Sequence, residues 1–445
     1  MLTMNSLNYV VIGLGVTGLS CARYLQRQGC RFSVMDTREN APNAASFAAD
    51  FPGVSLTLGA YDTERLHQAD VIVLSPGIAL STPEIQAEIK RGAKVVGDIE
   101  LFAEAVKAPV IAITGTNAKS TVTTLVGLMM EAAGYQTAVG GNLGVPALDL
   151  LASEKPADVY VLELSSFQLE TTTSLRPAVA ALLNITPDHL DRHETYEAYQ
   201  AAKHRVFLGA AQAVCYLDDA LTHAKTTPTT FFTMQTPKAR QFGLAKHQDQ
   251  LYLAEGSTLL MPVSGLPVIG KHYQANALAA LAIGHAFGLK REPLLHVLKT
   301  FQGLPHRCQW VREREGVRWY NDSKGTNVGA SQAAIEGVGA TITGKLILIA
   351  GGVGKGADFS GMLPAMSAYV RHVVLMGEAA DEIAAVVQNH LPYTLVNSME
   401  AAVMEADRVA KPGDCVLLSP ACASFDMFQN YEHRGNVFTE IVAKL

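Results

Sequence analysis

The sequence predicts an α/β protein of three consecutive domains built on parallel sheets. Three observations predict this. Short runs rich in Val, Ile and Leu recur along the chain and alternate with segments of helical periodicity, the pattern of βαβ units. Several of these runs are apolar at every position, as strands covered on both faces are. The chain has 445 residues, of which 49% are hydrophobic and 17% charged, enough apolar material for several cores and too much for disorder.

The elements follow in order. Strands are expected at Tyr9–Ile12, Asp70–Leu74, Val110–Thr114, Val159–Leu164, Val179–Ile185, Lys345–Ala350, His372–Met376 and Cys415–Ser419. Helices are expected at Pro83–Arg91, Ser120–Ala133, Ala275–Phe287 and Ala379–Gln388. Residues 1–97, 98–305 and 306–445 form the three expected domains. Within the second, residues 213–262 have shorter alternating segments such as Thr229–Thr233 and Gln250–Leu253, expected as a small antiparallel addition.

The net charge of −6 gives no basic excess for nucleic acid or an anionic membrane. The six cysteines include no C-x-x-C pair, which argues against a zinc ribbon or redox motif and suits a reducing compartment. No N-terminal leader pattern and no membrane-spanning apolar run is present, so a cytosolic protein is expected.

Gly13-Leu14-Gly15-Val16-Thr17-Gly18 follows the first strand and opens a helix, with Asp36 at the end of the next strand. Glycines there let the backbone approach a pyrophosphate at a helix N-terminus, and an acid at that strand end can hold a ribose or a loop hydroxyl. This Rossmann-like pattern does not separate a nicotinamide cofactor from a UDP group. Ser75-Pro76-Gly77 ends a later strand of the same block, where the ligand crevice of such sheets opens.

Thr114-Gly115-Thr116-Asn117-Ala118-Lys119-Ser120-Thr121 follows another strand and opens the next helix. A loop so placed offers backbone N–H groups to phosphates. Lys119 adds a cation, and Ser120 can reach Mg²⁺. A strict Walker loop has glycine where Ile113 and Ala118 stand, so this is a variant. Glu163, followed by Ser165-Ser166-Phe167-Gln168, and Asp188-His189-Leu190-Asp191-Arg192-His193 lie after later strands of the same block, where acids and a histidine can hold metal.

Together these segments resemble the Mur ligase family, which includes the folylpolyglutamate synthases. Gly270-Lys-His-Tyr-Gln-Ala-Asn276, Leu304-Pro305-His306-Arg307, Asn321-Asp322-Ser323-Lys324-Gly325-Thr326-Asn327 and Leu418 to Asp426 extend the likeness over the whole chain. The last segment, with Gly97-Asp98-Ile99-Glu100-Leu101-Phe102, is similar to the branch of the family that adds D-glutamate.

The resemblance implies a Rossmann-like first domain for UDP-N-acetylmuramoyl-L-alanine, a central P-loop-type sheet for ATP and two Mg²⁺, and a Rossmann-like third domain for D-glutamate. It assigns the UDP-linked substrate to Gly15, Val16, Thr17, Gly18, Asp36, Thr37, Arg38, Ser75, Pro76, Gly77 and Asn142. ATP falls to Gly115, Thr116, Asn117, Ala118, Lys119, Ser120 and Thr121, with Asn276, Arg307, Asp322 and Lys324; His272 belongs to the segment near the adenine. The metals fall to Ser120, Glu163, His189 and Lys203, the lysine as a CO₂-derived carbamate; Lys119, Glu163, His189 and Lys203 form the catalytic set. D-glutamate falls to Lys324, Thr326, Lys355, Ser424, Phe425 and Tyr431.

Three positions depart from the family pattern: Ala118 replaces a loop glycine, Tyr273 a frequent asparagine and Val353 a frequent aspartate. A monomer acting on small molecules, without nucleic acid or membrane insertion, is expected. The competing readings are a nicotinamide oxidoreductase built on Gly13–Gly18, a regulatory nucleotide-binding protein, and a related ligase with another amino acid.

Overall fold

The structure, a computed structural model, describes residues 6–268 and 270–445. The described chain falls into two units. The first holds everything up to Asn184 with Glu197–Phe231 and Ala280–Leu294; the second holds Ile185–Tyr196, Phe232–Ala279 and Leu295–Leu445.

The first sheet of the first unit contains β1 (Asn8–Ile12), β2 (Arg31–Asp36), β3 (Leu56–Leu58), β4 (Val71–Leu74) and β5 (Lys94–Val96). Their order is β3-β2-β1-β4-β5 and every pairing is parallel. Val10 and Ile12 of β1 pack with Met35, Ile72, Leu74 and Ile85 in a closed core. The chain leaves β1 toward one edge and β4 toward the other, so their carboxyl ends frame a crevice. Pro83–Arg91 is a helix, as expected: Pro83 opens it, and Gly92 ends it in a left-handed turn at φ 102°.

The same unit carries β6 (Val110–Thr114), β7 (Thr137–Gly141), β8 (Val159–Glu163), β9 (Val179–Leu182), β10 (Gln212–Tyr216) and β11 (Thr229–Phe232). Their order is β11-β10-β9-β6-β8-β7, and β6 is buried at all five residues. Two expectations need correction. β9 stops at Leu182, short of Ile185, because Asn184 turns to accept the N–H of Thr116. β10 runs parallel to β9 and so continues the core, although it lies within residues 213–262.

The antiparallel pairing belongs to the second unit, where β12 (Gln241–His247), β13 (Gln250–Glu255) and β14 (Thr258–Pro262) form a meander. Gln248 and Asp249 make its first turn with φ of 48° and 63°, the left-handed pair that a two-residue hairpin requires. This unit also holds β15 (Gln309–Arg314), β16 (Val317–Asn321), β17 (Leu346–Ala350), β18 (Val370–Leu375), β19 (Tyr393–Leu395) and β20 (Cys415–Leu418). Their order is β15-β16-β20-β17-β18-β19; only the β15–β16 pair is antiparallel. Leu346 and Leu348 pack into a core on one face of this sheet, and Ile347 and Ile349 into a core on the other.

Among the described residues no helix is long and apolar enough to cross a membrane. None of the six cysteines, all among the described residues, is in a disulfide.

Candidate functional site

The crevice above β1 and β4 opens into a cavity of about 600 Å³ whose wall includes Gly15, Arg38, Ser75, Asn142 and Gln168. The sequence dictates its floor. Gly13 sits at φ +91°, and a Cβ on Gly18 would lie 1.8 Å from the Gly13 carbonyl oxygen, so only glycine fits there. Ser75 Oγ donates to the same carbonyl at 2.8 Å. Asp36 is buried, and its carboxylate serves the loop: it accepts the Leu14 N–H at 2.7 Å and the Arg38 side chain at 2.9 and 2.7 Å. The Arg38 guanidinium holds the Asp36 carboxyl at about 2, well below the usual carboxylate range. Val16, Thr17, Thr37, Pro76 and Gly77 also line this cavity; Gly18 packs beneath it.

The loop after β6 is set by its neighbours. Gly115 adopts φ 157°. Thr116 donates its N–H to Asn184 O, while Asn117 N–H and carbonyl both bond the Asn184 carboxamide, at 2.8 and 3.1 Å. Ala118 caps the helix Lys119–Ala132 in the left-handed region at φ 70°, the conformation that the replaced glycine would adopt without strain. Lys119 Nζ donates to the carbonyls of Gly115 and Thr116 at 3.0 and 2.9 Å. Lys203 is 2% exposed and its Nζ also donates to Gly115 O, at 2.7 Å. Thr116 Oγ1 lies 2.9 Å from the Tyr199 hydroxyl. Ser120 and Thr121 are buried in the first turn of the helix. A helix N-terminus with two ammonium groups over one carbonyl is an anion site.

Glu163 ends β8, in register with Ile113 of β6 and so beside this loop. Its Oε1 accepts from Asn142 Nδ2 at 2.7 Å, and its carbonyl accepts from Asn142 N at 2.8 Å. Among the described residues no group of three His, Cys, Asp or Glu side chains is placed to hold a metal ion. A cation at Ser120 and Glu163 therefore shares its coordination with other oxygens. That donor set fits Mg²⁺, which is commonly held by one or two carboxylates plus phosphates and water. The buried Lys203 beside Lys119 fits conversion to a carbamate, which replaces one of two neighbouring cations with an oxygen anion.

In the second unit, a cavity of about 470 Å³ is walled by Asp188, His189, Thr326, Asn327 and Lys355. Asp188 organises it: Oδ1 lies 3.3 Å from Lys355 Nζ and Oδ2 accepts from Asn327 Nδ2 at 3.1 Å. His189, at φ 55°, opens the short helix Leu190–His193, with its N–H on Asp188 Oδ1 at 3.0 Å. Val353, which replaces a family aspartate, pairs with Ala423 through two main-chain bonds of 3.0 Å and so anchors the Lys355 loop. Ser424, Phe425, Tyr431 and Lys324 are not in this wall. Lys324 Nζ sits 3.7 Å from the centre of the Tyr431 ring, and Phe425 is 74% exposed. Asp322 is buried and accepts from Ser419 Oγ at 2.7 Å; burial raises its carboxyl to about 6. Arg307 lines a separate cavity of about 350 Å³, and Asn276 is buried in the helix Lys271–Phe287. Tyr273 stacks on Phe301 at 6.2 Å between ring centres, a packing role that the asparagine it replaces cannot fill. Burial lowers the His272 imidazole to about 4.

Three residues take places in these sites that the sequence reading did not give them. Gln168 lines the first cavity, and Asp188 braces the second. Arg434, 1% exposed, donates to Ser323 O at 2.8 Å and to Cys422 O at 3.1 Å, tying the Lys324 and Ser424 segments together. Gln168 carried a readable signal, the Ser165-x-x-Gln168 capping box, which the structure forms. Arg434 lies in a helix with no local motif.

Three family models match the chain: Mur ligase MurD-like, N-terminal domain, at residues 7–97; Mur ligase middle domain, at 113–284; and Mur ligase, glutamate ligase domain, at 306–422. The chain is 52% identical over 439 residues to a UDP-N-acetylmuramoylalanine–D-glutamate ligase of Pseudomonas fluorescens, covering 98% of each. It is 50% identical to one of Legionella pneumophila over 447 residues, covering 99% of this chain and 100% of the relative. In fold it is similar to the UDP-N-acetylmuramate-alanine ligase MurC of Thermotoga maritima, with TM-score 0.63 at 16% identity over 98% of this chain and 99% of that one. It is also similar to the MurF ligase of the same organism in complex with ADP, with TM-score 0.62 at 15% identity over the whole of both chains.

Proposed function

The chain belongs to the Mur ligase family, and from that premise we infer that it joins D-glutamate to UDP-N-acetylmuramoyl-L-alanine in an ATP-dependent reaction of peptidoglycan precursor synthesis. The observation that carries the chemistry is the loop after β6, where Lys119 and Lys203 meet at the Gly115 carbonyl at the start of a helix.

A carboxylate does not acylate an amine at neutral pH, because oxide is not a leaving group. In the proposed reaction the alanyl carboxylate attacks the γ-phosphate of ATP, giving an acyl phosphate and ADP. The amine of D-glutamate then attacks the acyl carbon, phosphate leaves, and the ammonium proton is lost. Lys119 and the N–H groups of the loop hold the phosphates and offset their charge. Mg²⁺, when bound, neutralises phosphate oxygens and draws the two anions together. Ser120, Glu163 and a carbamate on Lys203 are its proposed ligands in the first unit, and His189 keeps the ligand role that the resemblance gives it.

The cavity at Gly15, Arg38 and Asn142 is the proposed seat of the UDP-linked substrate, supported by its Rossmann-like crevice. The cavity at Lys355 and Thr326 is the proposed seat of D-glutamate, supported by its cationic wall. Lys324, Ser424, Phe425 and Tyr431 complete that set. Asn276, Arg307, Asp322 and Lys324 take the nucleoside side of ATP. Domain boundaries near residues 97 and 305, a cytosolic setting and a monomer belong to the same reading; the positions of the three family matches support the boundaries, and six cysteines outside any disulfide suit the cytosol.

The test is a panel of D- and L-amino acids offered to the purified protein with ATP, Mg²⁺ and UDP-N-acetylmuramoyl-L-alanine, scored by product mass. Product with D-glutamate alone supports the assignment. Product with another amino acid, and none with D-glutamate, makes the protein a different member of the family.

A further inference from the structure

The segment Gly97-Asp98-Ile99-Glu100 has no part in the proposed chemistry, yet it grips the helix Ser166–Glu170 and the turn after it. A Cβ on Gly97 would lie 2.3 Å from Thr171 Oγ1, so the approach requires glycine. Glu100 Oε2 accepts the N–H groups of Thr173 and Ser174 at 2.6 and 3.1 Å, and Oε1 accepts the Thr173 hydroxyl at 2.8 Å. Between them, Asp98 Oδ2 accepts from Gln168 Nε2 at 3.0 Å, with both residues buried. The other end of the same carboxamide, Gln168 Oε1, accepts from Ser165 N at 3.1 Å and Ser165 Oγ at 3.2 Å.

A glutamine amide can turn over, exchanging its donor and acceptor ends. Here an acceptor faces one end and donors face the other, so the Asp98 carboxylate fixes the amino end of Gln168 as the Ser165 N–H fixes its oxygen. Gln168 lines the cavity at Gly15 and Asn142, and Ser165 follows Glu163 by two residues. We propose that Asp98 is a positioning residue for the UDP-linked substrate, orienting the Gln168 carboxamide in the cavity wall. The proposal rests on the reading of that cavity given above.

A purely structural role does not account for this aspartate. Its Oδ1 is buried, and burial pushes its carboxyl up to about 6 against the pull of Gln168 and of the Ile99 and Asp98 N–H groups. Such a group costs folding energy that an apolar side chain of similar size would not. Asp98 thus adds order to Gln168 and subtracts from stability, and the two effects can be separated.

Steady-state kinetics of wild type, D98L and D98N, with KM read for each of the three substrates, tests this alongside thermal unfolding. D98L removes the acceptor and is expected to raise KM for UDP-N-acetylmuramoyl-L-alanine about five- to tenfold, the value of one lost hydrogen bond. KM for ATP and D-glutamate hold, and the Tm stays or rises. D98N keeps an acceptor oxygen and is expected to restore the wild-type KM. The inference is overturned if D98L leaves that KM unchanged, if all three KM values and the Tm worsen together, or if D98N behaves like D98L. Should D98L not fold, D98A withdraws the acceptor without adding bulk; failure of both to fold makes Asp98 structural and overturns the inference. A wild-type enzyme that is not saturated by the UDP-linked substrate overturns the reading of the cavity itself, and the inference with it.

Discussion

Lys119 and Lys203, from different helices, donate hydrogen bonds to one carbonyl oxygen, that of Gly115, at 3.0 and 2.7 Å. Two ammonium groups so close repel each other unless an anion joins them or one of them changes sign. ATP supplies the anion, and carbamylation of Lys203 changes the sign. Both belong to the proposed reaction, and the roles of the two lysines can be tested separately.

Lys119→Ala is expected to lower kcat by about a hundredfold to a thousandfold, the usual loss when one contact to developing charge is removed. The fold should survive, because Lys119 lies in the first turn of its helix and its Nζ donates to carbonyls of the loop just before it. A folded variant with near-normal turnover would remove the phosphate loop from the account.

Lys203→Arg keeps a cation and a donor but cannot become a carbamate. Turnover is expected to fall about a hundredfold or more. Wild-type protein in ¹³C-bicarbonate should show a carbamate carbon by NMR that K203R lacks. An active K203R would leave Lys203 with hydrogen bonding alone.

Asp188 braces Lys355 and Asn327 in the second cavity. Asp188→Ala releases both, and KM for D-glutamate is expected to rise about tenfold, as for loss of one charge-assisted bond. An unchanged KM would place D-glutamate elsewhere.

Ala118 is left-handed at φ 70°. Ala118→Gly relieves about 1–2 kcal/mol of strain and returns about 0.4–1 kcal/mol of unfolded-state freedom. Urea unfolding should therefore find the variant more stable by about 0.5–1 kcal/mol; a loss would mean that the alanine methyl packs better than its backbone is strained.

Asp36, held by Arg38 at about 2, has a folded-state pKa below its ordinary value. Its stabilisation is therefore fully present above about pH 4 and is lost as pH falls toward 2. Because Arg38 is half exposed, the contribution is of order 1 kcal/mol after solvent screening. NMR titration should find the Asp36 carboxyl near 2 in wild type and nearer 4 in Arg38→Ala. An unmoved titration would mean that the main-chain N–H groups of Leu14 and Arg38 hold it.

Much of this was legible in the sequence where a local rule decides the structure. Gly13, Gly18, Pro83 and Gly92 each mark a turn or cap that only a few residue types make, and the all-apolar runs became buried parallel strands. Legibility failed where tertiary partners decide. Leu183 and Asn184 read as a continuing strand, but the loop at Thr116 claims their backbone. Asp36 read as an acid for a ribose or a loop hydroxyl; it lines the cavity, and its oxygens also brace Leu14 and Arg38, partners that no spacing showed. The roles of Arg434 and Asp98 depend on residues distant in the chain, to which no spacing in the sequence points.

The most direct test of the chemistry uses UDP-N-acetylmuramoyl-L-alanine carrying ¹⁸O in both carboxylate oxygens, turned over with ATP and D-glutamate. Activation through an acyl phosphate transfers one carboxylate oxygen, so each phosphate released should carry one ¹⁸O. Unlabelled phosphate alongside normal product would contradict the account.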